Sequence, residues 1–198
     1  ALYGSIFSKI WKYSSLNSID KSTFSSMVKY SAPLIPNSIS WWVTNGSDRF
    51  IINLFLGAAA NGIYAMAYKM PSICTTLFSV FHLSWQENAS LTVQDDNFAE
   101  YFNGIYNKLI KRAVSICAIV LSTNYIIFNF IIDARYYEAY YHVPILVLSV
   151  FFSFMAQFIG GIFIAFKNTK VNAATAVLAA CVNIVVHLAL IRFVQLYA

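Results

Sequence analysis

Three ionisable residues, Asp48, Arg49 and Lys69, lie in apolar stretches long enough to cross a bilayer. An ionisable side chain in hydrocarbon costs roughly 2.5–3.5 kcal/mol on insertion scales, so each must face a protein interior or a wet cavity. Ser38, Trp42, Asn45, Arg49 and Asn53 fall close to one face of a helix. Tyr68 or Lys69, Ser72, Thr75, Ser79, His82 and Gln86 recur at three or four residues along the next stretch. Two cations in a low-dielectric cavity favour an anionic head group, and the planar fork of Arg suits phosphate better than Lys does. Two arrangements stay open: Asp48 pairs with Lys69 and frees Arg49 for a ligand, or Asp48 sits near the outer surface and the ion pair is structural.

Other chemistries find little support. Neither a phosphate-cradling GxxxxGK[ST] loop nor a carboxylate pair at a membrane face occurs; Asp95 and Asp96 read as charge at a helix start. Cys74, Cys117 and Cys181 sit in apolar runs without CxxC pairing or neighbouring His, so they read as packing residues, and no metal or cofactor is expected. His82 and His187 read as hydrogen-bonded interior groups. The glycosylation triplets Asn45-Gly46-Ser47 and Asn88-Ala89-Ser90 lie in or beside the spans and are discounted. Ser149, Ser153, Gln157, Gly160 and Gly161, then Asn172, Thr175, Asn183 and His187, form milder polar faces that suit helix packing in a membrane.

The elements that must position these residues follow from composition. Of 198 residues, 59% are hydrophobic, 17% aromatic and 11% charged, and mean hydropathy is +0.63. That excludes an ordinary water-soluble globule, which carries about 25% charged residues. The net charge of +5 is better explained by basic membrane loops than by nucleic-acid binding. Five spans are expected, at about Ala32–Leu56, Gly62–Trp85, Ala113–Ile132, Val143–Phe166 and Val171–Ile191, in an all-α polytopic bundle. A very short link near Gly57–Asn61 makes the first two spans antiparallel neighbours. The loop Asp133–His142 and a tight turn Lys167–Lys170 separate later spans, and Asp133, Arg135 and Glu138 read as a solvated cluster.

With the N-terminus inside, Lys9, Lys12, Lys21, Lys29, Lys108, Lys111, Arg112, Lys167 and Lys170 face the cytoplasm, against Arg135 and Arg192 outside. Such asymmetry sets orientation. Phe98, Tyr101, Phe102, Ile105 and Leu109 recur at helical spacing, so an interfacial amphipathic helix is expected near 97–111. Residues 1–30 read as the tail of an upstream helix and a cytoplasmic linker, and residues 31–198 as transmembrane helices. The chain begins at Ala1 without a signal peptide and reads as a piece of something longer. Pro33, Pro36 and Pro144 stand at span beginnings, whereas Pro71, inside the second span, is expected to kink it.

Several motifs occur together: Pro33-Leu34-Ile35-Pro36 before Trp41-Trp42, then Ser47-Asp48-Arg49-Phe50-Ile51, Leu56-Gly57-Ala58-Ala59-Ala60 and Gly62-Ile63-Tyr64. Ala67-Tyr68-Lys69-Met70-Pro71-Ser72, Ser84-Trp85-Gln86, Tyr141-His142-Val143-Pro144-Ile145-Leu146, Lys167-Asn168-Thr169-Lys170 and Asn183 follow in order. From Lys29 onward the chain resembles the Wzx-type oligosaccharide or polysaccharide flippases of the multidrug/oligosaccharidyl-lipid/polysaccharide exporter superfamily. The resemblance implies the incomplete C-terminal bundle of a two-bundle transporter, with the N-terminal bundle as partner.

It further implies a flippase, not an enzyme, that moves lipid-linked oligosaccharide on undecaprenyl pyrophosphate across the bacterial plasma membrane for O-antigen or capsule export. Membrane lipids and a polysaccharide polymerase with its chain-length machinery are the other implied partners. Arg49, Lys69, Asn45, Trp42 and Tyr68 become candidate substrate contacts, Asp48 the candidate ion-coupling carboxylate for H⁺ or Na⁺, and Pro71 the candidate hinge. The rival within the superfamily is a cation-coupled drug exporter, which needs cavity carboxylates where the spans supply Arg49 and Lys69 against Asp48. A membrane polymerase or glycosyltransferase needs a larger outer loop than Asp133–His142. A non-transporting structural partner is the third alternative.

Overall fold

A computed structural model of the chain describes residues 20–194, with side chains described for residues 20–191. The helix end expected in residues 1–12, with Lys9 and Lys12, and the side chain of Arg192 lie outside the described residues. The described elements are all helical: α1 (Lys21–Ser31), α2 (Leu34–Ala67), α3 (Lys69–Thr92), α4 (Phe98–Phe130), a short turn of 3₁₀ helix (Ala134–Tyr136), α5 (Ala139–Ala165) and α6 (Thr169–Val194). Helices are what an apolar solvent allows, since every backbone donor and acceptor is satisfied within the segment.

Four segments are long and apolar enough to cross a membrane: Lys21–Ala67, Phe98–Phe130, Ala139–Ala165 and Thr169–Ile191. The five expected spans are thereby corrected, because α3 does not qualify. Lys69, the hydroxyls of Ser72, Thr75, Thr76 and Ser79, His82 and Gln86 make one side of α3 too polar. Its hydroxyls bond their own helix, as when Thr76 Oγ1 donates to the Ser72 carbonyl at 2.9 Å.

Glycine decides where the chain reverses. Gly57 breaks α2 with φ 86° and ψ 177°, a conformation that strains any residue with a Cβ. Beyond it, Tyr64 returns to Asp48, its hydroxyl donating to Asp48 Oδ2 at 3.1 Å. Sixteen residues of straight helix would separate them by about 24 Å, so the arms before and after Gly57 fold back on each other. The short link expected at Gly57–Asn61 is thus a single glycine bend. At Pro71 the effect is milder. The missing N–H leaves the boundary between α2 and α3 at Tyr68, but Tyr68 still bonds back to Tyr64 and Ser72 to Tyr68.

Two further expectations change. The amphipathic segment near 97–111 is not a helix of its own: it opens the continuous α4, which has no proline and runs through Gly104 and the Lys108–Arg112 basic cluster. The described part of the expected N-terminal linker is helical, because Asp20 caps α1 by accepting from the backbone N–H of Ser22 and Thr23. Pro144 lies in the second turn of α5, which starts at Ala139, and so within that helix. Asp133 and Arg135 are an exposed pair at 3.1 Å, in which the guanidinium's hydrogen bond holds the carboxyl below its usual range. Exposed pairs of this kind contribute little to stability.

The turn between α5 and α6 is where expected. Asn168 N–H donates to the Phe163 carbonyl at 2.8 Å and Lys167 N–H to the Ile164 carbonyl at 2.9 Å, closing a Schellman cap. Lys167 takes the left-handed position with φ 57°, where glycine is usual. Relief of roughly 1–2 kcal/mol of αL strain exceeds the added freedom of the unfolded chain, about 0.5–1 kcal/mol, so Lys167→Gly is expected to stabilise by about 0.5–1 kcal/mol. Thermal unfolding in micelles checks this, and an unchanged or lower midpoint would contradict it.

Packing divides the helices into two groups joined by α5. α3 and α4 pack on α5, while α2 lies along α6 and touches α5, meeting α3 only sparsely. The larger core joins Cys74, Phe78 and Trp85 of α3, Ala113 and Cys117 of α4, and Phe154 and Phe158 of α5. Cys74 and Cys117 pack as expected, whereas Cys181 is exposed. Trp85 stacks on Phe158 at 4.4 Å between ring centroids and donates through Nε1 to the Phe158 carbonyl at 2.9 Å. Residues such as Trp42, Phe50, Leu83, Phe130 and Phe152 point outward, as apolar side chains facing lipid do.

Candidate functional site: a polar cleft among apolar helices

Because α2 lies along α6 and α3 along α5, the polar sides of α2 and α3 face a shared cleft rather than each other's backbone. Its volume is about 380 Å³, within the range of small-ligand sites. α2 contributes Trp41, Thr44, Asn45, Asp48 and Tyr64; α3 contributes Thr75, Phe78 and Ser79; α5 contributes Ser149, Ser153 and Gln157; and α6 contributes Asn183. Tyr68, at the junction of α2 and α3, completes the wall and stacks with Tyr64 at 6.1 Å.

A second cavity of about 310 Å³ shares Trp41 and Gln157 with the first. It continues past them along Asn37, Ser38, His82, Gln86 and Asn172. The polar track therefore runs along much of the bundle. Gly160 holds it open beside α6, since a Cβ there would stand 3.1 Å from Asn172 Oδ1.

Most of the lining is hydroxyl, amide or aromatic. Asp48 is the only carboxylate among the described lining residues of the first cavity, and no Lys or Arg lines it. One carboxylate oxygen of Asp48 accepts from Tyr64, and the other lies 3.3 Å from Nδ1 of the buried His187 on α6. Ser47 Oγ donates to Asn183 Oδ1 at 3.4 Å, a second tie between α2 and α6. Hydroxyls, amides and aromatic faces suit a ligand rich in hydroxyl groups.

The sequence-derived candidates divide. Asn45, Asp48 and Tyr68 line the cleft. Trp42, 77% exposed, together with Arg49 and Lys69, lies on exposed surface outside the lining. Among the described residues Asp48 lies against His187 and not Lys69, so the arrangement that pairs Asp48 with Lys69 does not hold. Pro71 is buried in the α3 end of the core. Trp41, Thr44 and Tyr64 line the cleft with no sequence signal of their own, and Ser149, Ser153, Gln157 and Asn183, which the sequence assigns to packing, line it as well. Their spacing on α5 and α6 was the available signal.

One comparison bears on this arrangement. Residues 1–84 match the polysaccharide biosynthesis protein family. The match agrees with the Wzx-type resemblance carried by the motifs, and it spans α1, α2 and two-thirds of α3, hence the cleft wall from Trp41 to Ser79. No curated protein and no solved structure matches the chain. Four segments of this length and apolarity fit a multi-pass membrane protein, and over residues 1–84 the chain is similar to the polysaccharide biosynthesis protein family.

Proposed function

We propose that this protein is a flippase, not an enzyme, carrying lipid-linked oligosaccharide units across the bacterial plasma membrane for surface polysaccharide export. The observation that carries the reading is the cleft itself: serine, threonine, asparagine and glutamine side chains with Trp41 and two tyrosines, set within apolar helices. A glycan needs a polar path through hydrocarbon, and its carrier lipid needs an apolar outer face. Both are present on one bundle. The family match over residues 1–84 supports the polysaccharide class of substrate.

In this reading Asn45 and Tyr68 contact sugar within the cleft. Arg49 and Lys69, exposed outside the lining, hold the pyrophosphate where a second bundle would complete the path. The N-terminus lies in the cytoplasm, as the basic residues direct. The test uses the complete gene product in a strain lacking its own flippase, at matched membrane expression. Wild type restores surface polysaccharide, Arg49→Ala lowers it at least tenfold, and Arg49→Lys recovers little because a single ammonium cannot make the bidentate contact. Equal restoration by all three would remove Arg49 from the site, and none from wild type with a matched glycan would count against the flippase.

A second reading has one specific observation in its favour. The charge lining the cleft is Asp48, with Arg49 and Lys69 outside it, which suits a cationic amphiphile of the kind a drug exporter carries. Resistance conferred on a susceptible strain, without polysaccharide restoration, would select that reading.

A further inference from the structure

The exposed side of α4 carries three cations that no acidic side chain neutralises. Lys108, Lys111 and Arg112 are all exposed, and their spacing of three and four residues gathers them on one side of the helix. Among the described residues the ion pairs are Arg135 with Asp133 and His187 with Asp48, so none of the three has an acidic partner. α4 packs on its neighbours through Leu109, Ala113 and Cys117, which leaves the cationic side outside the core. Ser115, next along that side, donates its hydroxyl to the Lys111 carbonyl at 2.9 Å.

The triad does not mark a helix end. α4 runs antiparallel to α5: Phe98 meets Phe166 at 5.9 Å between ring centroids, Phe102 stacks on Phe158 at 5.4 Å, and Phe128 meets Tyr140 at 5.7 Å. Lys108 and Arg112 stand about 15 and 21 Å along the axis from Phe98. They therefore lie beside the middle of α5, well away from the Lys167–Lys170 turn, where Thr169 Oγ1 donates to the Tyr30 carbonyl and brings Lys29 close. Toward that turn the exterior stays apolar on α5 and α6, with Ile159, Phe166 and Val171 exposed. In the other direction the cationic side of α4 continues as Ile119 and Ile126, 62% and 55% exposed. The polar edge of the bundle thus steps toward the bilayer at α4. Cations set against apolar surface at that depth need an anion.

The geometry points to a binding site for an anionic bilayer phospholipid, its phosphate on Lys108, Lys111 and Arg112 and its acyl chains along Ile119 and Ile126. Arg112 offers a planar fork to two phosphate oxygens, and the two lysines add charge beside it. A zwitterionic head brings its own ammonium to this triad, whereas an anionic head brings net negative charge, so the site selects the second. The dimensions agree. Ile119 and Ile126 stand about 10 and 21 Å from Arg112, which brackets the roughly 15 Å of hydrocarbon in one leaflet. Such a lipid lets the first turns of α4, with Glu100, stay in water while the apolar remainder crosses the bilayer. The inference depends on α4 crossing the membrane and is independent of what the protein carries.

The test is lipid binding by the complete protein, delipidated in detergent, offered phosphatidylglycerol and phosphatidylcholine in equal amounts, and read by native mass spectrometry. Wild type is expected to retain phosphatidylglycerol over phosphatidylcholine by at least about tenfold, as three cations near a membrane surface imply. Combining Lys108→Gln, Lys111→Gln and Arg112→Gln abolishes that preference. Combining Lys29→Gln, Lys167→Gln and Lys170→Gln removes the same charge at the turn and leaves the preference standing. Neither inorganic phosphate nor undecaprenyl phosphate, each added at the concentration of phosphatidylglycerol, displaces it. No preference in wild type, or an equal loss in the two triple variants, would overturn the inference. Displacement by inorganic phosphate would make this a site for a free anion, and displacement by undecaprenyl phosphate would assign it to the carrier lipid; either overturns it too. The preference and displacement arms use wild type alone, so a variant that misfolds does not spare the inference.

Discussion

Replacing Phe158 with alanine is expected to lower stability by about 3 kcal/mol. Phe158 is 0% exposed and stacks with Trp85, Phe102 and Tyr106. In water a buried Phe→Ala costs about 3–5 kcal/mol, part of it lost hydrophobic transfer. Between membrane helices lipid is as apolar as the core, so the transfer part shrinks and the lost packing remains, which sets the expectation at the lower end. Gly161→Ala gives the converse test. A Cβ there would stand 2.9 Å from Trp85 Nε1 and 3.0 Å from its Cδ1, and the ring is held by its aromatic neighbours. Overpacking of this kind costs about 1–3 kcal/mol. Denaturant unfolding in mixed micelles measures both, and a Phe158→Ala protein as stable as wild type would show that this aromatic stack does not hold α3 and α4 to α5.

The second large effect concerns transport. Ser153 lies on the α5 side of the cleft, half-buried, at the middle of the Ser149–Ser153–Gln157 row. Ser153→Phe fills much of the cavity of about 380 Å³ from a helix that otherwise packs normally. Surface polysaccharide is expected to fall at least tenfold with membrane expression unchanged, while Ser153→Ala, which removes only a hydroxyl, stays within about twofold, as loss of one hydrogen bond of about 0.5 kcal/mol implies. Full export by a well-expressed Ser153→Phe protein would show that substrate does not use the cleft.

These side chains were partly legible before the fold was known. Hydropathy located α4, α5 and α6 because nothing competes with helix formation in an apolar run, and Lys167–Lys170 was readable as a turn. The orientation of α2 was not. Steps of three and four from Trp42 through Asn45 to Arg49 and Asn53 pick one face, whereas the cleft takes Trp41, Thr44, Asn45 and Asp48, turned by about 100° per residue at the charged pair. In a membrane both the core side and the lipid side of a helix are apolar, so hydrophobicity cannot tell them apart.

Partners distant in sequence were beyond reach for a different reason. Tyr64 reaches Asp48 because Gly57 folds α2 back, and His187 reaches Asp48 because α6 lies along α2. Neither juxtaposition has a local signature. The row Ser149, Ser153 and Gln157 was visible, but whether such a row packs or lines a cavity depends on how far neighbouring helices stand off. Here the sparse contact between α2 and α3 leaves the space open.

The most direct measurement is leaflet transfer of a fluorescent undecaprenyl-pyrophosphate oligosaccharide in vesicles containing the purified complete protein, read by quenching from outside. Wild type is expected to transfer it well above protein-free vesicles and Ser153→Phe to fall to the protein-free rate. Transfer no faster than in protein-free vesicles, or transfer untouched by Ser153→Phe, would contradict the account.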